Sequence, residues 1–424
     1  MIRVTDDTTD SDSTARESPT RDSPNTDGTP TRRAYLGTLG TLAATGVSAG
    51  CIDVTTGTDG DDVTEFTAGT FAHEGGHCMD CVDPSPGWAI SEELEERSGG
   101  DVVMNLHGED QVCDSTTCGG KAQQGILEAG YASIANGNNF WPENNIWLLP
   151  YTFPNRASLS YTLFDERIWE NYWVPFAQQY GIFPFYAWSP SLRNLLLSEE
   201  ATEIADGRVR TPDDLEEIRL RRSNSRPPKV ALEEWGATAP ELSWGDTVQG
   251  MDTGVVHGLE TWSGVGIAGG MDEVVDQVTL VDFMAGQGVM WVSTDWLQSL
   301  SDDHRQLIAD VTRELSEAVI QQTDEIVDER VGHADPPPED TGYGEQDITV
   351  NDLDDDELEQ WRDPVDPAEN PEMYEEELER VEAMDLPVDD FYDYIWEIAR
   401  ESSVPDSAAD VTLDAWWGEY LAQL

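Results

Sequence analysis

The chain has 424 residues, 38% of them hydrophobic, enough for two ordinary domains with a sizeable core. Asp and Glu number 86 against 23 Lys and Arg, a formal net charge of −63. That balance excludes a nucleic-acid partner, because such a surface repels phosphate.

The acid runs along the whole chain, which suits solvation in very high salt, where the Debye length falls to ~3 Å or less. Only Lys121 and Lys229 are lysines, so arginines supply almost all the positive charge. Residues 1–30 are rich in Thr, Ser and Asp without apolar periodicity, and are predicted to be disordered. Thr31-Arg32-Arg33-Ala34-Tyr35-Leu36 has the form of a twin-arginine export signal. Its apolar core, residues 36–49, is too short to span a bilayer but right for a signal peptide. The core ends Ser48-Ala49-Gly50-Cys51, a lipoprotein-like cleavage box that makes Cys51 the predicted lipid-bearing residue. Residues 1–50 are therefore read as n-region and signal peptide, and 51–63 as a flexible tether. The mature protein is expected on the outer face of the cytoplasmic membrane, exported by the twin-arginine route and held by the lipid.

The body is expected over 64–331. Strands are predicted at 65–72, 102–106, 147–151, 183–188 and 218–222, and helices at 88–98 and 121–129. A long helix is predicted over 155–180, with Pro175 as its weak point and Gly181 as its cap. Another runs from Ser301 to about residue 327, with Leu300, Leu307, Val311, Leu315 and Val319 at helical spacing. Alternating strands and helices give an α/β class. Residues 332–370 are acidic and Pro-rich and read as a linker or insertion. Helices near 371–384, 388–400 and 413–424 carry Phe391, Tyr394, Trp396, Trp416, Trp417 and Tyr420, and are expected to pack back on the body.

Cys78, Cys81, Cys113 and Cys118 are even in number in an exported chain, which predicts two disulfides with three possible connectivities. The segment His73-Glu74-Gly75-Gly76-His77-Cys78-Met79-Asp80-Cys81 contains a literal H-E-x-x-H string. That signature needs a helix, and two adjacent glycines, each costing ~1 kcal/mol in a helix, oppose one. A loop is the reading taken, with no metal or other cofactor. The rival is a metal-dependent extracellular enzyme using the His73–Cys81 cluster.

The informative region begins Thr211-Pro212-Asp213-Asp214-Leu215 and continues through a short strand bearing Arg219, Arg221 and Arg222. Alternation puts Arg219 and Arg221 on one face and Arg222 on the other. A strand-borne guanidinium is rigidly placed, and its planar fork grips a carboxylate with two parallel hydrogen bonds. The alternative is that these arginines are surface charges paired to the abundant acid.

The strings TPDDLEEIRLR, WGATAPELSW and GDTVQGMDTGVVHGLET, in that order, resemble the solute-binding subunits of tripartite ATP-independent periplasmic (TRAP) transporters, the DctP-type family. EELEERSGGDVVMNLHG, NNIWLLPYTFP and WVSTDWLQSLSDDHRQLI extend the resemblance over about 65–327. With the acid excess it points to a haloarchaeon-like source. The resemblance implies a two-lobed, Venus-flytrap fold with hinge strands and a long helix, followed here by an acidic C-terminal extension. It implies a binding protein rather than an enzyme, which takes a small organic carboxylate and serves TRAP-type permease subunits. Carried over by position, the carboxylate-binding arginine falls on Arg221, with Arg219 as a supporting charge and Arg193 as a second family arginine. Glu260 falls on the family glutamate, and Thr261 where many members have Asn. Trp262 and His73 complete the expected ligand-binding set. His257 and Asp246 depart from the family pattern.

Overall fold

The structure, a computed structural model, describes residues 63–188 and 191–424. The expected signal peptide, Arg32, Arg33 and Cys51 lie outside the described residues. Along the chain the strands are β1 (Thr64–Gly69), β2 (Val102–His107), β3 (Ala129–Tyr131), β4 (Ile182–Trp188) and β5 (Asn194–Leu197). They continue with β6 (Leu220–Arg221), β7 (Gly258–Thr261), β8 (Gln277–Thr279), β9 (Gly288–Ser293) and β10 (Thr349–Asn351). They form two five-stranded sheets, ordered β2-β1-β3-β9-β4 and β10-β8-β5-β7-β6. Each sheet is the centre of one lobe, so the fold is the two-lobed α/β architecture.

The chain passes from the first sheet to the second after β4 and returns after β8. The two crossing segments run antiparallel as hinge strands. Arg193 N–H donates to the Met284 carbonyl at 2.9 Å, Phe283 N–H donates to the Arg193 carbonyl at 3.2 Å, and Leu192 bridges Ala285. In β5 the alternation of a pleated strand sends Leu195 and Leu197 into one apolar cluster and Leu196 into the other. Both faces of the second sheet are covered, which is why this strand is a continuous apolar run.

Local chemistry sets the helix ends. The helix Gly87–Ser98 stops at Gly99, whose φ of 68° is left-handed and costs glycine little. The long helix Asp302–Ile326 starts at Ser301, whose hydroxyl accepts from His304 N–H at 3.2 Å, with Asp302 and Asp303 in the positive first turn. Ile308, Val311, Val319 and Ile320 face the first lobe's core, and Val327 and Val331 just past its end pack in the second lobe's core.

Four local expectations are corrected. Residues 121–129 are not one helix: it covers Cys118–Gln123, and Ala129 already belongs to β3. The predicted strand at 147–151 is instead the end of a buried 3-10 helix, Pro142–Leu148, and the turn that follows it, where an apolar run without period could not separate strand from helix. The predicted helix over 155–180 breaks at Asp165, which leaves helical backbone and accepts from Arg167 N–H at 2.8 Å. Pro175 does not end the helix: the backbone stays helical from Glu166 to Tyr180, and the π-helical stretch Trp169–Trp173 just before the proline accommodates its missing N–H. Finally, residues 332–370 are no free linker: β10 is an edge strand of the second sheet, and Tyr343, Ile348, Val350 and Trp361 are buried.

The last residues are also fastened. Trp416 and Trp417 both donate from Nε1 to Thr312 Oγ1 on the long helix, at 3.0 and 3.3 Å, and Trp417 Nε1 lies 3.1 Å from the Phe185 carbonyl. Trp169 stacks on Tyr420 with centroids 5.5 Å apart. Trp417 is fully buried, so Trp417→Ala is expected to cost about 3–5 kcal/mol of stability. Denaturant unfolding in multimolar KCl checks this; an unshifted midpoint would mean the segment is not part of the folded unit.

Candidate functional site

The ends of several strands converge where the two sheets face each other. β1 and β3 are parallel and β6 and β7 are parallel, so their carboxyl ends point the same way within each lobe. Phe71 follows β1, and Tyr131 closes β3 with Ser133 and Asn136 beyond it. From the second lobe, Arg221 ends β6 and Thr261 ends β7, with Ser223 and Trp262 just past them. Arg193 precedes β5, which is antiparallel to β7 and pairs Asn194 with Thr261, so it reaches the same end. Together with Ser115, Trp244 and Val265 these residues line a narrow cavity of about 30 Å3. The carboxyl ends of strands are where α/β sheets bind ligands.

Of the two arginines in this cavity, Arg221 is the one without an ion pair among the described residues. It is 4% exposed, its Nε donates to the Leu242 carbonyl at 2.9 Å, and its guanidinium lies over the Trp244 ring at 5.6 Å. Among the described residues it has no ion pair, and its two terminal nitrogens have no hydrogen-bond partner. Burial pulls its pKa down to about 10, so it stays protonated at neutral pH. The strand beneath is held by pairing of Leu220 with Gly258 and Arg221 with Leu259. The turn before it is held by a capping box between Thr211 and Asp214.

The other expected residues divide. Arg193, Thr261 and Trp262 line the cavity with Arg221. Arg193 lies over the Trp262 ring at 5.1 Å, and Trp262 Nε1 is a buried donor without a partner among the described residues. Glu260 is not in the cavity wall: fully buried, it forms an ion pair with Arg193 Nε, and its carbonyl accepts from Arg193 Nη2 at 3.1 Å. Arg219 does not reach the cavity either, because Nε donates to the Val255 carbonyl at 2.9 Å and Nη2 to that of Gly254. Arg222 bridges to Glu241 at 3.6 Å and donates to the Ala239 and Ser223 carbonyls. Phe71, Ser115, Tyr131, Ser133, Asn136, Ser223, Trp244 and Val265 were not foreseen from sequence. Five of them lie at or just past strand ends, which is the pattern that would have found them.

The cysteines pair locally, Cys78 with Cys81 and Cys113 with Cys118. The Cys113–Cys118 ring carries Ser115 to the cavity, and Asp114 braces it by accepting from Thr116 N–H at 2.8 Å and from the Thr116 and Thr117 hydroxyls. The H-E-x-x-H string lies in turns rather than on a helix, and both nearby thiols are spent in a disulfide. The residues of the rival metal reading are thus not arranged as that signature requires. His73 does not line the cavity: its Nε2 donates to the Ala268 carbonyl of the second lobe at 3.1 Å. The same loop presses on Gly264, which sits so close under the Val82 carbonyl that no Cβ fits.

Behind this loop His77 Nε2 lies 3.4 Å from Asp83 Oδ2, both groups buried. Burial pulls His77 down to about 4 and pushes the Asp83 carboxyl well up. A histidine lowered in the folded state contributes stability that is complete above the unfolded pKa of about 6.5 and is lost as pH falls toward 4. The loss attributable to His77 is expected to reach about 3 kcal/mol. Comparing wild type with His77→Phe by denaturant unfolding at pH 7.5 and 4.5 checks this, since the variant should lack that part of the acid sensitivity.

A larger groove of about 540 Å3 lies between Pro371, Phe391 and Trp396. Its charged walls, Glu382, Asp390, Asp393 and Glu397, are all acidic, so it is unsuited to an anion.

Comparison with known proteins agrees with this geometry. The sequence model of the family described as bacterial extracellular solute-binding protein, family 7 (DctP) matches residues 89–377, more than half of the chain. The ectoine-binding periplasmic protein TeaA of Halomonas elongata is 24% identical over 222 residues, 51% of this chain and 61% of that protein. The ectoine/5-hydroxyectoine-binding protein UehA of Ruegeria pomeroyi is 22% identical over 220 residues, 52% of this chain and 62% of its own. The chain thus spans less than two thirds of these relatives' length, and both are bacterial. Among solved structures, the periplasmic ectoine-binding protein of the Halomonas elongata TeaABC TRAP transporter superposes with a TM-score of 0.64 at 18% identity, covering 79% of this chain and 99% of that one. A TRAP periplasmic solute-binding protein from Roseobacter denitrificans with bound β-D-glucuronate gives 0.62 at 16%, covering 79% and 98%. The two-sheet fold and the family match lead to one conclusion: the chain belongs to the DctP-type bacterial extracellular solute-binding proteins, family 7.

Proposed function

We propose that this protein captures a small organic carboxylate outside the cytoplasm and delivers it to the membrane subunits of a TRAP-type transporter. The observation that carries this reading is Arg221, a buried guanidinium with both terminal nitrogens unpartnered among the described residues, at the meeting of two lobes. Such a group calls for an anion, and its planar fork fits a carboxylate. Trp262 Nε1 offers a further donor. The relatives named for ectoine, and the related structure holding glucuronate, support an organic acid as cargo. Nothing need be transformed: closure of hinged lobes removes water and strengthens the ion pair, and the closed shape is what a permease reads. Arg193, Thr261 and Trp262 take the rest of the ligand, while Arg219, Glu260 and His73 act around the cavity rather than in it.

We also read the protein as exported through Arg32-Arg33 and anchored by a lipid on Cys51, in a salt-adapted cell of the kind its acid excess indicates. No described helix is long and apolar enough to cross a membrane. Arg32→Lys with Arg33→Lys is expected to leave the precursor in the cytoplasm, and Cys51→Ser to release the protein into the medium. Cell fractionation reads both; unchanged partitioning would sink this assignment.

Binding is tested by calorimetric titration at multimolar salt, with the acid found in a thermal-shift screen of organic acids. Arg221→Ala is expected to weaken binding by roughly thirtyfold to several thousandfold, the cost of about 2–5 kcal/mol for a buried charge pair. Arg221→Lys should also bind poorly, since a point charge cannot reproduce the fork. Arg222→Ala should change affinity by less than about threefold, as a half-exposed pair is worth ~0–1 kcal/mol. Wild-type affinity in Arg221→Ala would overturn the clamp.

A further inference from the structure

We propose that the cavity selects singly charged carboxylates against dicarboxylates, because Glu260 cancels one of its two arginines. The inference rests on the carboxylate reading above and adds the charge class of the cargo.

Two arginines line the cavity, and at first sight two guanidiniums suit two carboxylates. Arg193 is already spent. Its Nε is paired with the Glu260 carboxylate, and its Nη2 donates to the Glu260 carbonyl at 3.1 Å. Glu260 is fully buried and is held from the other side by Ser223 N–H at 3.4 Å, so it cannot swing out to water when a ligand arrives. The neighbouring acids do not alter the sum. Glu241 faces Arg222 at 3.6 Å. Asp83 is fully buried against His77 at 3.4 Å and is not part of the cavity wall. No other cavity wall carries a charged side chain. The net charge offered to a ligand is therefore a single positive one, at Arg221.

The walls opposite are aromatic faces and neutral hydroxyl or amide groups: Tyr131, Trp262, Ser115, Ser133 and Asn136. A hydroxyl, carbonyl or ring of the ligand meets suitable partners there. A second carboxylate does not: it would leave water and gain no counter-ion.

The test is calorimetric titration at multimolar KCl with pyroglutamate, lactate and D-glucuronate as monoanions, and succinate and L-malate as dianions. It is run at pH 7.5 on wild type, Glu260→Gln and Arg221→Ala. Wild type is expected to bind at least one monoanion on the order of 100-fold more tightly than either dianion. E260Q frees Arg193 and is expected to narrow that ratio by at least about tenfold. Because E260Q also leaves Arg193 buried without its anion, the double variant Arg193→Met/Glu260→Gln is the folding control. It restores a single positive charge, so the ratio of monoanion to dianion affinity should return even though loss of the Arg193 contact lowers both affinities.

Dianions bound as tightly as monoanions by wild type, with that binding lost in Arg221→Ala, would overturn the charge count while leaving the carboxylate reading standing. An unchanged ratio in folded E260Q would overturn it as well. Failure of every acid to bind wild type would overturn the carboxylate reading for these acids and the inference with it.

Discussion

Removing a guanidinium from water without a counter-ion costs on the order of several kcal/mol, and this fold holds Arg221 in that condition. The cost is tempered rather than cancelled. The Leu242 carbonyl takes one N–H, and the Trp244 ring offers a negative face 5.6 Å away. Arginine suits the position because its delocalised charge is weakly hydrated and does not shed its proton when buried. The surrounding order serves the same end. A two-residue strand pairs with β7, a capped turn precedes it, and β7 also supplies the glutamate that pins Arg193. The charge is in place before a ligand arrives, so little of the binding free energy is lost to ordering.

How much of this was legible beforehand depends on what each residue's neighbours decide. Helix ends were, because Ser301, Gly99 and Gly181 act through their own backbone and side chain. The buried 3-10 helix Pro142–Leu148 was not, since an apolar run without period fits any fully buried element. Residues 332–370 misled for a different reason. In an ordinary protein a run of Asp, Glu and Pro marks a linker, but here acid runs along the whole chain and loses that meaning. The inward residues Tyr343, Ile348, Val350 and Trp361 were the better guide. In the site, strand alternation put Arg219 with Arg221, yet only one reaches the cavity. Which arginine is left unpaired is settled by carbonyls and carboxylates far away in sequence, at Gly254, Val255 and Glu260.

The same acid excess explains why positive charge is used so sparingly. Most arginines fasten one segment to another. Arg210 holds Glu357, Arg226 holds the buried Glu377, and Arg167 reaches Glu401. Each joins the C-terminal residues to the two-lobed body, alongside the Trp235–Trp361 contact with its centroids 5.0 Å apart. The exposed pair among them, Arg167–Glu401, contributes little alone in concentrated salt, and the buried tryptophans add apolar cohesion.

The two disulfides close over sequence separations of only 3 and 5 residues. Rings that small remove little freedom from an unfolded chain, about 2 kcal/mol each by loop entropy, and neither ties one strand to another. The topology of both lobes is therefore independent of the thiols. The chain is able to reach its full tertiary arrangement before it meets an oxidant, and sulfur chemistry only sets the lip of an already formed mouth. Folding and oxidation of this protein are thus separable steps.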